Sequence, residues 1–124
     1  MPVALAVALG GALGSVGRYA VDSLIERHTE SVFPWATFTV NMTGCLALGF
    51  LIAALVDRHT APAWLRAGLV VGFCGGYTTY STFAQETLDL LEGRHLAVAA
   101  ATVGASVGVG LLGVLVGVRL GRLV

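Results

Sequence analysis

Hydrophobic residues occupy four long stretches of this 124-residue chain, and short polar runs separate them. The stretches cover residues 3–25, 33–56, 63–91 and 96–118, and the polar runs begin at Glu26, Asp57 and Glu92. A helix needs about 20 apolar residues to cross a hydrocarbon layer of roughly 30 Å. The pattern therefore predicts an all-α fold, with four transmembrane helices in one domain that spans residues 1–124.

Features at the ends of the stretches agree with this reading. Pro34 and Pro62 stand where helices are predicted to begin, a position that tolerates a missing N–H group. Trp35 and Trp64 follow them, at the depth where aromatic side chains line membrane interfaces. The first stretch is longer than a signal-peptide core, so we expect it to be a membrane helix.

Composition narrows the class of protein. The chain is 56% hydrophobic and 11% charged, whereas soluble domains carry about 25% charged residues. The seven arginines balance seven acidic residues, so no basic surface for nucleic acid is predicted. Cys45 and Cys74 lie within apolar stretches, and we expect them to be small packing residues.

The distribution of arginine predicts the orientation only weakly. An even number of crossings places both termini on one side of the membrane, and four arginines lie on that side while three lie towards the other: Arg58, Arg66, Arg119 and Arg122 against Arg18, Arg27 and Arg94. Such a small bias sets no strong orientation. A chain without a preferred orientation could insert both ways and pair head to tail.

Small and polar residues recur every four positions along three of the stretches. Such spacing lets membrane helices approach closely. The glycines are explained by packing alone, but the polar residues beside them are not. These stripes comprise Gly10, Gly14, Arg18 and Asp22; Asn41, Cys45, Gly49 and Ala53; Thr102, Ser106 and Gly110; and Gly113, Gly117 and Gly121.

Arg18, Asp22 and Glu86 are charged residues inside the predicted helices. Arg18 and Asp22 are one turn apart, and we favour a structural ion pair over a role in attracting anions. Glu86 has two open interpretations, a side chain that reaches the far interface or part of a water-filled vestibule. An ionised group inside a membrane is costly unless it is paired or hydrated.

The third stretch contains the most informative segment, residues 72–83, with the sequence GFCGGYTTYSTF. Adjacent glycines and several hydroxyl residues favour an interrupted helix. Irregular backbone inside a membrane persists only where protein or water satisfies its polar groups. Tyr80 and Phe83 share a face, and the positive edge of an aromatic ring attracts a small anion. With Asn41, Thr102 and Ser106, they would form a track of weak donors suited to an ion that must enter and leave.

Three motifs in the sequence resemble those of the Fluc-type (CrcB) fluoride channels. The family pattern Gly-Gly-x-x-Gly-x-x-x-Arg is matched by residues 10–18, and Val-Asn-x-x-Gly by residues 40–44. The third pattern, Gly-Gly-x-Thr-Thr-Phe-Ser-Thr-Phe, is matched by residues 75–83 with one change, Tyr80 in place of Phe. The resemblance covers nearly the whole chain, and the third motif is highly specific.

The resemblance implies a passive channel that exports fluoride from the cytoplasm across the inner (plasma) membrane and lowers its toxicity. It implies an antiparallel, dual-topology dimer with two pores and a central structural sodium ion, held by the backbone carbonyls of Gly75 and Thr78 in both subunits. Arg18 and Glu86 would be vestibule or structural charges. The fluoride pore would comprise Asn41, Tyr80, Thr82, Phe83, Thr102 and Ser106.

Alternatives remain at this stage. The partner could be a second copy of the chain or a paralogous subunit, because Tyr80 departs from the family pattern. A proton-coupled multidrug exporter would need a carboxylate near mid-membrane, and in the first helix only Asp22, close to the end, is available. A scaffold protein would not explain the interrupted helix. No enzyme is expected, since His28, His59 and His95 lie in the polar runs without a catalytic constellation.

Overall fold

The computed structural model describes residues 1–57 and 61–124, and this part of the chain is helical, without β-strands. Arg58, His59 and Thr60, in the second polar run, lie outside the described residues. Three helices are long and apolar enough to cross a membrane: Val3–His28, Trp35–Val56 and Leu96–Gly121. The chain is thus an all-helical membrane protein.

The first two of these helices differ at their ends. Helix α1 is Val3–His28 and continues past the predicted end at Ile25. Arg27 and His28 belong to its last turn, where positive charge is favourable, and the His28 ring bonds the Leu24 carbonyl at 2.8 Å. Helix α2 is Trp35–Leu51 and widens into a π-helical turn, Ile52–Val56, in which Asp57 N–H donates to the Ile52 carbonyl.

The third apolar stretch forms two helical parts rather than one continuous helix. Helix α3, Ala63–Ala67, continues through a π-helical segment, Gly68–Cys74, into the short helix α4, Gly75–Tyr77. Thr78 and Thr79 are extended, and helix α5, Tyr80–Glu92, follows. Helix α6 is Leu96–Gly121. The interruption predicted between residues 72 and 83 therefore lies at the two adjacent threonines.

Glycine contacts join α1 to the first part of this third segment. A Cβ atom added to Gly10 would collide with the Gly68 carbonyl oxygen, and one added to Gly14 would collide with that of Phe73. From the opposite side, a Cβ on Gly76 would stand 2.5 Å from the Gly11 carbonyl oxygen. The two backbones therefore touch along several turns, the close approach that small residues permit in membranes.

Helices α2 and α6 pack in the same way. Added Cβ atoms on Gly49 and Gly117 would collide with the carbonyl oxygens of Val114 and Leu46, and one on Gly121 would stand 2.5 Å from that of Phe50. Val40 and Thr102 are the largest fully buried side chains, whereas Leu13 and Leu111 are 67% and 68% exposed. The core is therefore thin, and much apolar surface faces outwards, as lipid or another protein chain requires.

The α1 contact makes a prediction about stability. Gly10→Ala should destabilise the fold by at least the roughly 1–3 kcal/mol that overpacking costs, because the added methyl group meets backbone that has no rotamer to change. Gly104→Ala is the matched control, since no atom of the described residues outside its own helix lies within 4 Å of its added Cβ. Thermal unfolding in detergent, followed by circular dichroism, measures both. Equal midpoints for the two variants would contradict the tight α1 contact.

Candidate functional site

The break at Thr78 and Thr79 removes backbone groups from the helical hydrogen-bond pattern. Thr78 has φ −79° and ψ 160°, and Thr79 has φ −147° and ψ 115°. Inside a membrane each N–H or C=O group without a partner costs several kcal/mol. The side chains around the break show how this cost is reduced.

Asn41 of α2 pairs with the backbone of Thr79 through both ends of its amide. The Thr79 N–H donates to Asn41 Oδ1 at 2.8 Å, and Asn41 Nδ2 donates to the Thr79 carbonyl at 3.0 Å. An amide side chain has two N–H donors, so a second one remains after this bond. Asn41 therefore replaces the helical partners of Thr79 and ties the break to α2.

The two sides of the break are capped by different groups. Before it, the Cys74 carbonyl accepts from the N–H and the hydroxyl of Thr78, at 3.0 and 2.9 Å. After it, the Thr79 hydroxyl oxygen accepts from the Thr82 N–H at 3.2 Å and donates to the Thr82 hydroxyl at 3.0 Å. Thr79 is thus the N-cap of α5, a position that favours threonine.

The Gly76 carbonyl, in the last turn before the break, receives two donors from α1. Arg18 Nε donates to it at 3.3 Å and the Ser15 hydroxyl at 3.4 Å. A cation at the C-terminal end of a helix also compensates the helix dipole. The predicted ion pair between Arg18 and Asp22 is not formed as a direct contact: Arg18 Nε donates to Gly76, and Asp22 Oδ1 is buried without a hydrogen-bond partner among residues 1–57 and 61–124.

The carbonyl oxygens of Gly75 and Thr78 receive no hydrogen bond across the break from residues 1–57 or 61–124. These are the two residues that the sequence assigns to a sodium ion. Backbone oxygens of an unwound membrane helix are suitable ligands for Na⁺. The residues present therefore fit such an ion.

A cavity of about 340 Å³ lies beside the break and is open at the protein surface. Four of the six predicted pore residues line this cavity: Asn41, Tyr80, Phe83 and Ser106. Tyr80 is 80% exposed, and its ring centroid is 5.9 Å from that of Phe83. An aromatic pair, an amide and a hydroxyl thus meet at one opening.

The other two predicted pore residues are not in the lining of this cavity. The Thr82 hydroxyl is bonded to Thr79, as described above, and Thr102 is 1% exposed, with its hydroxyl donating to the Val98 carbonyl of its own helix at 2.8 Å. In this structure Thr82 serves the start of α5, and Thr102 is a packing residue between helices.

Glu86 lies apart from this cavity. Its Oε1 accepts a hydrogen bond from Thr37 of α2 at 2.8 Å, whereas Oε2 is buried without a hydrogen-bond partner in the described part of the chain. It borders a second cavity of about 160 Å³, together with Glu26, Thr29 and Ser31. This position agrees with a vestibule, one of the two interpretations of Glu86.

Two residues of this arrangement were absent from the sequence-based set, Thr37 and Ser15. Thr37 precedes Asn41 by four positions and therefore lies on the same face of α2, a signal present in the sequence. Ser15 lies between the glycines and Arg18 of the first motif. Its bond to Gly76 joins residues 61 positions apart, and no local pattern predicts such a contact.

The fold and site define a class, that of helical membrane proteins with an interrupted segment fixed by side chains of neighbouring helices. Comparison with known proteins narrows it. Residues 5–118 match the family model described as "CrcB-like protein, Camphor Resistance (CrcB)". The chain belongs to the CrcB family, and the resemblance noted in the sequence is confirmed.

Curated relatives cover most of the chain. It is 44% identical over 121 residues to "Fluoride-specific ion channel FluC" of Azotobacter vinelandii, with 98% of each chain covered. It is 42% identical over 119 residues to "Fluoride-specific ion channel FluC 1" of Moorella thermoacetica, covering 96% of this chain and 85% of the relative. A third channel of this name, from Flavobacterium psychrophilum, is 39% identical over 106 residues, 86% of each chain. Ion channels are not enzymes, so the expectation of a non-enzymatic protein is confirmed.

The paired amide of Asn41 leads to a prediction about stability. Asn41→Ala should leave two buried backbone groups of Thr79 without partners, each at a cost of about 1–3 kcal/mol. Gln85→Ala is the matched control, because it removes an exposed side-chain amide of α5 that bonds Asp89 one turn away and not the break. Unfolding midpoints in detergent compare the two. An Asn41→Ala protein as stable as Gln85→Ala would contradict the role of Asn41 in holding the break.

Proposed function

We propose that this chain forms a passive, fluoride-selective ion channel that exports fluoride from the cytoplasm across the inner membrane. The observation that carries the proposal is the break itself, fixed by Asn41 next to a cavity that also presents Tyr80, Phe83 and Ser106. The names of the relatives, fluoride-specific ion channels, support the same substrate.

The chemistry of the cavity suits a small anion. One N–H of Asn41 and the Ser106 hydroxyl are neutral donors, and the edges of the two aromatic rings carry partial positive charge. The residues lining this cavity include no charged side chain. Conduction requires binding that is favourable enough for entry and weak enough for release, and a track of neutral donors meets both conditions.

A structural sodium ion at the centre of the assembly is part of the proposal. The carbonyl oxygens of Gly75 and Thr78 would hold it, from both subunits. When bound, the ion would supply a fixed positive charge that satisfies oxygens left without donors at the break. Its role would be to stabilise the packing of the two interrupted segments against each other.

The proposed assembly is an antiparallel dimer in which each copy contributes four crossings, the third of them made by residues 63–92. Surface features of one copy support a partner. Tyr80 and Ser15 are exposed close to the break, and Thr43 and Tyr77 form a 2.9 Å hydrogen bond on an exposed part of α2. Polar groups at this depth require protein or water around them. A second copy in the opposite orientation would cover them, and a paralogous subunit is the alternative partner.

Selectivity tests the proposal directly. Liposomes that contain only this purified chain should release fluoride rapidly and chloride hardly at all, as measured with ion-selective electrodes. Equal leakage of both anions would contradict a fluoride channel. A pH gradient should drive no coupled exchange of protons, whereas obligatory coupling would favour the exporter. Flux that appears only with a second, different chain would show a heterodimer.

The aromatic pair gives a second functional test. Tyr80→Phe should retain fluoride efflux because the ring edge remains, while Tyr80→Ile and Phe83→Ile should impair it because an aliphatic side chain has no comparable quadrupole. The measurement is initial efflux per assembled dimer, with dimer content taken from gel filtration.

Tyr19→Ile is the matched control, since Tyr19 is a tyrosine of similar exposure, 73%, on the surface of α1. Wild-type flux in both Ile variants of the pair would remove the rings from the mechanism. Loss of flux in Tyr80→Phe alone would show that the hydroxyl, the departure of this chain from the family pattern, takes part in conduction.

A further inference from the structure

We infer that the cavity beside the break also contains a binding site for a soft monovalent cation such as Ag⁺ or Cu⁺, formed by Met42, Cys45 and Cys74. We further infer that occupancy of this site stops ion flow. The second inference rests on the proposed channel function, whereas binding of the cation does not.

Three sulfur-bearing side chains line this one cavity. Met42 and Cys45 come from α2, and Cys74 comes from the segment before the break. The sulfur atoms of Cys45 and Met42 stand 3.5 and 4.0 Å from the point that a Cβ atom of Gly110 would occupy. Because Gly110 has no side chain there, both sulfurs approach the same small region of the α2–α6 contact.

Both cysteines are free thiols that line the cavity, and Cys74 is 3% exposed while Cys45 is half-buried. Thiolate and thioether ligands select soft cations, whereas carboxylate and carbonyl oxygens suit hard ones. Across residues 1–57 and 61–124, no group of three or more His, Cys, Asp or Glu side chains is placed to hold a metal ion. Within these residues, no such group of side chains would therefore compete with the sulfur cluster for a metal ion.

Binding is a simple exchange of a proton for a metal ion. A cysteine S–H bond breaks, its sulfur forms a bond to Ag⁺, and the proton passes to water at the open side of the cavity. The Met42 thioether donates a lone pair and loses no proton. No atom changes oxidation state, and binding should be weaker at lower pH because ligands must be deprotonated.

The position of the cluster links binding to ion flow. Cys45 follows Asn41 by one helical turn, and Cys74 contacts the break through its carbonyl, which accepts two hydrogen bonds from Thr78. Because one proton leaves as one Ag⁺ binds, the net charge of the site does not change, but the metal occupies space in the cavity that Asn41, Tyr80 and Phe83 also line. Ion flow through this cavity should therefore be obstructed while the metal is bound.

The test uses the full-length chain with silver nitrate in chloride-free buffer. Silver that remains with the protein after gel filtration is measured by mass spectrometry, and initial fluoride efflux is measured from liposomes with and without silver. We expect stoichiometric silver and loss of most of the efflux in the wild type, with potassium nitrate as the control salt.

Three variants locate the site, each compared with its own efflux in the absence of silver. Cys45→Ser and Cys74→Ser should lose block and silver content together. Met42→Leu, of similar size, should weaken silver binding by at least the roughly 10- to 100-fold that supporting residues of metal sites contribute. If the wild type retains no silver, or if the double cysteine variant retains as much, the site is overturned.

Binding and channel function fail in different ways. Retained silver in a chain that passes no fluoride would uphold the sulfur site and contradict the channel. Fluoride flux that continues at full rate in protein loaded with silver would uphold the channel and overturn the block. Circular dichroism of the double variant checks that loss of silver is not loss of fold.

Discussion

Two hydrogen bonds between the Asn41 side-chain amide and the Thr79 backbone hold the structure together where its third segment is interrupted. Thr79 leaves the helical pattern at a depth where water is scarce, and Asn41 supplies the acceptor and the donor that its neighbours in a helix would have supplied. The two bonds fix the position of α5 relative to α2. They thereby also fix the positions of Tyr80 and Phe83, which lie in the first turn of α5.

Glycine contacts make this pairing possible. Helix α1 and the third segment touch backbone to backbone. The Ser15 hydroxyl and the Arg18 Nε are therefore close enough to donate to the Gly76 carbonyl. Asn41 likewise reaches Thr79 because Gly44, less than one turn further along α2, has no side chain in the space that the Thr78 side chain and the Tyr77 ring occupy. The close packing and the irregular backbone therefore depend on each other. Because the glycines have no side chains, polar groups of neighbouring helices come within hydrogen-bonding distance.

The same cavity combines neutral hydrogen-bond donors with three sulfur atoms, and these suit opposite kinds of ion. Amide, hydroxyl and ring edges attract a small anion weakly, whereas thiols bind a soft cation tightly. Asn41, Tyr80 and Phe83 of the first set belong to the family motifs, whereas Cys45 and Cys74 of the sulfur set lie just outside them and Met42 occupies a variable position of the second motif. The proposed fluoride pathway and the proposed silver site would then lie in the same cavity.

The sequence by itself determined the helical class, the membrane environment and the place of the break, because apolar length and runs of Gly and Thr express local physics. It also indicated Asn41 and the aromatic pair. Only the tertiary structure decided which groups these residues meet. Spacing along one helix predicts that Arg18 pairs with Asp22, yet Arg18 donates a hydrogen bond to the Gly76 carbonyl of another segment. The roles of Ser15 and Thr37, and the burial of Thr102, likewise depend on how helices distant in sequence are brought into contact, which no local pattern specifies.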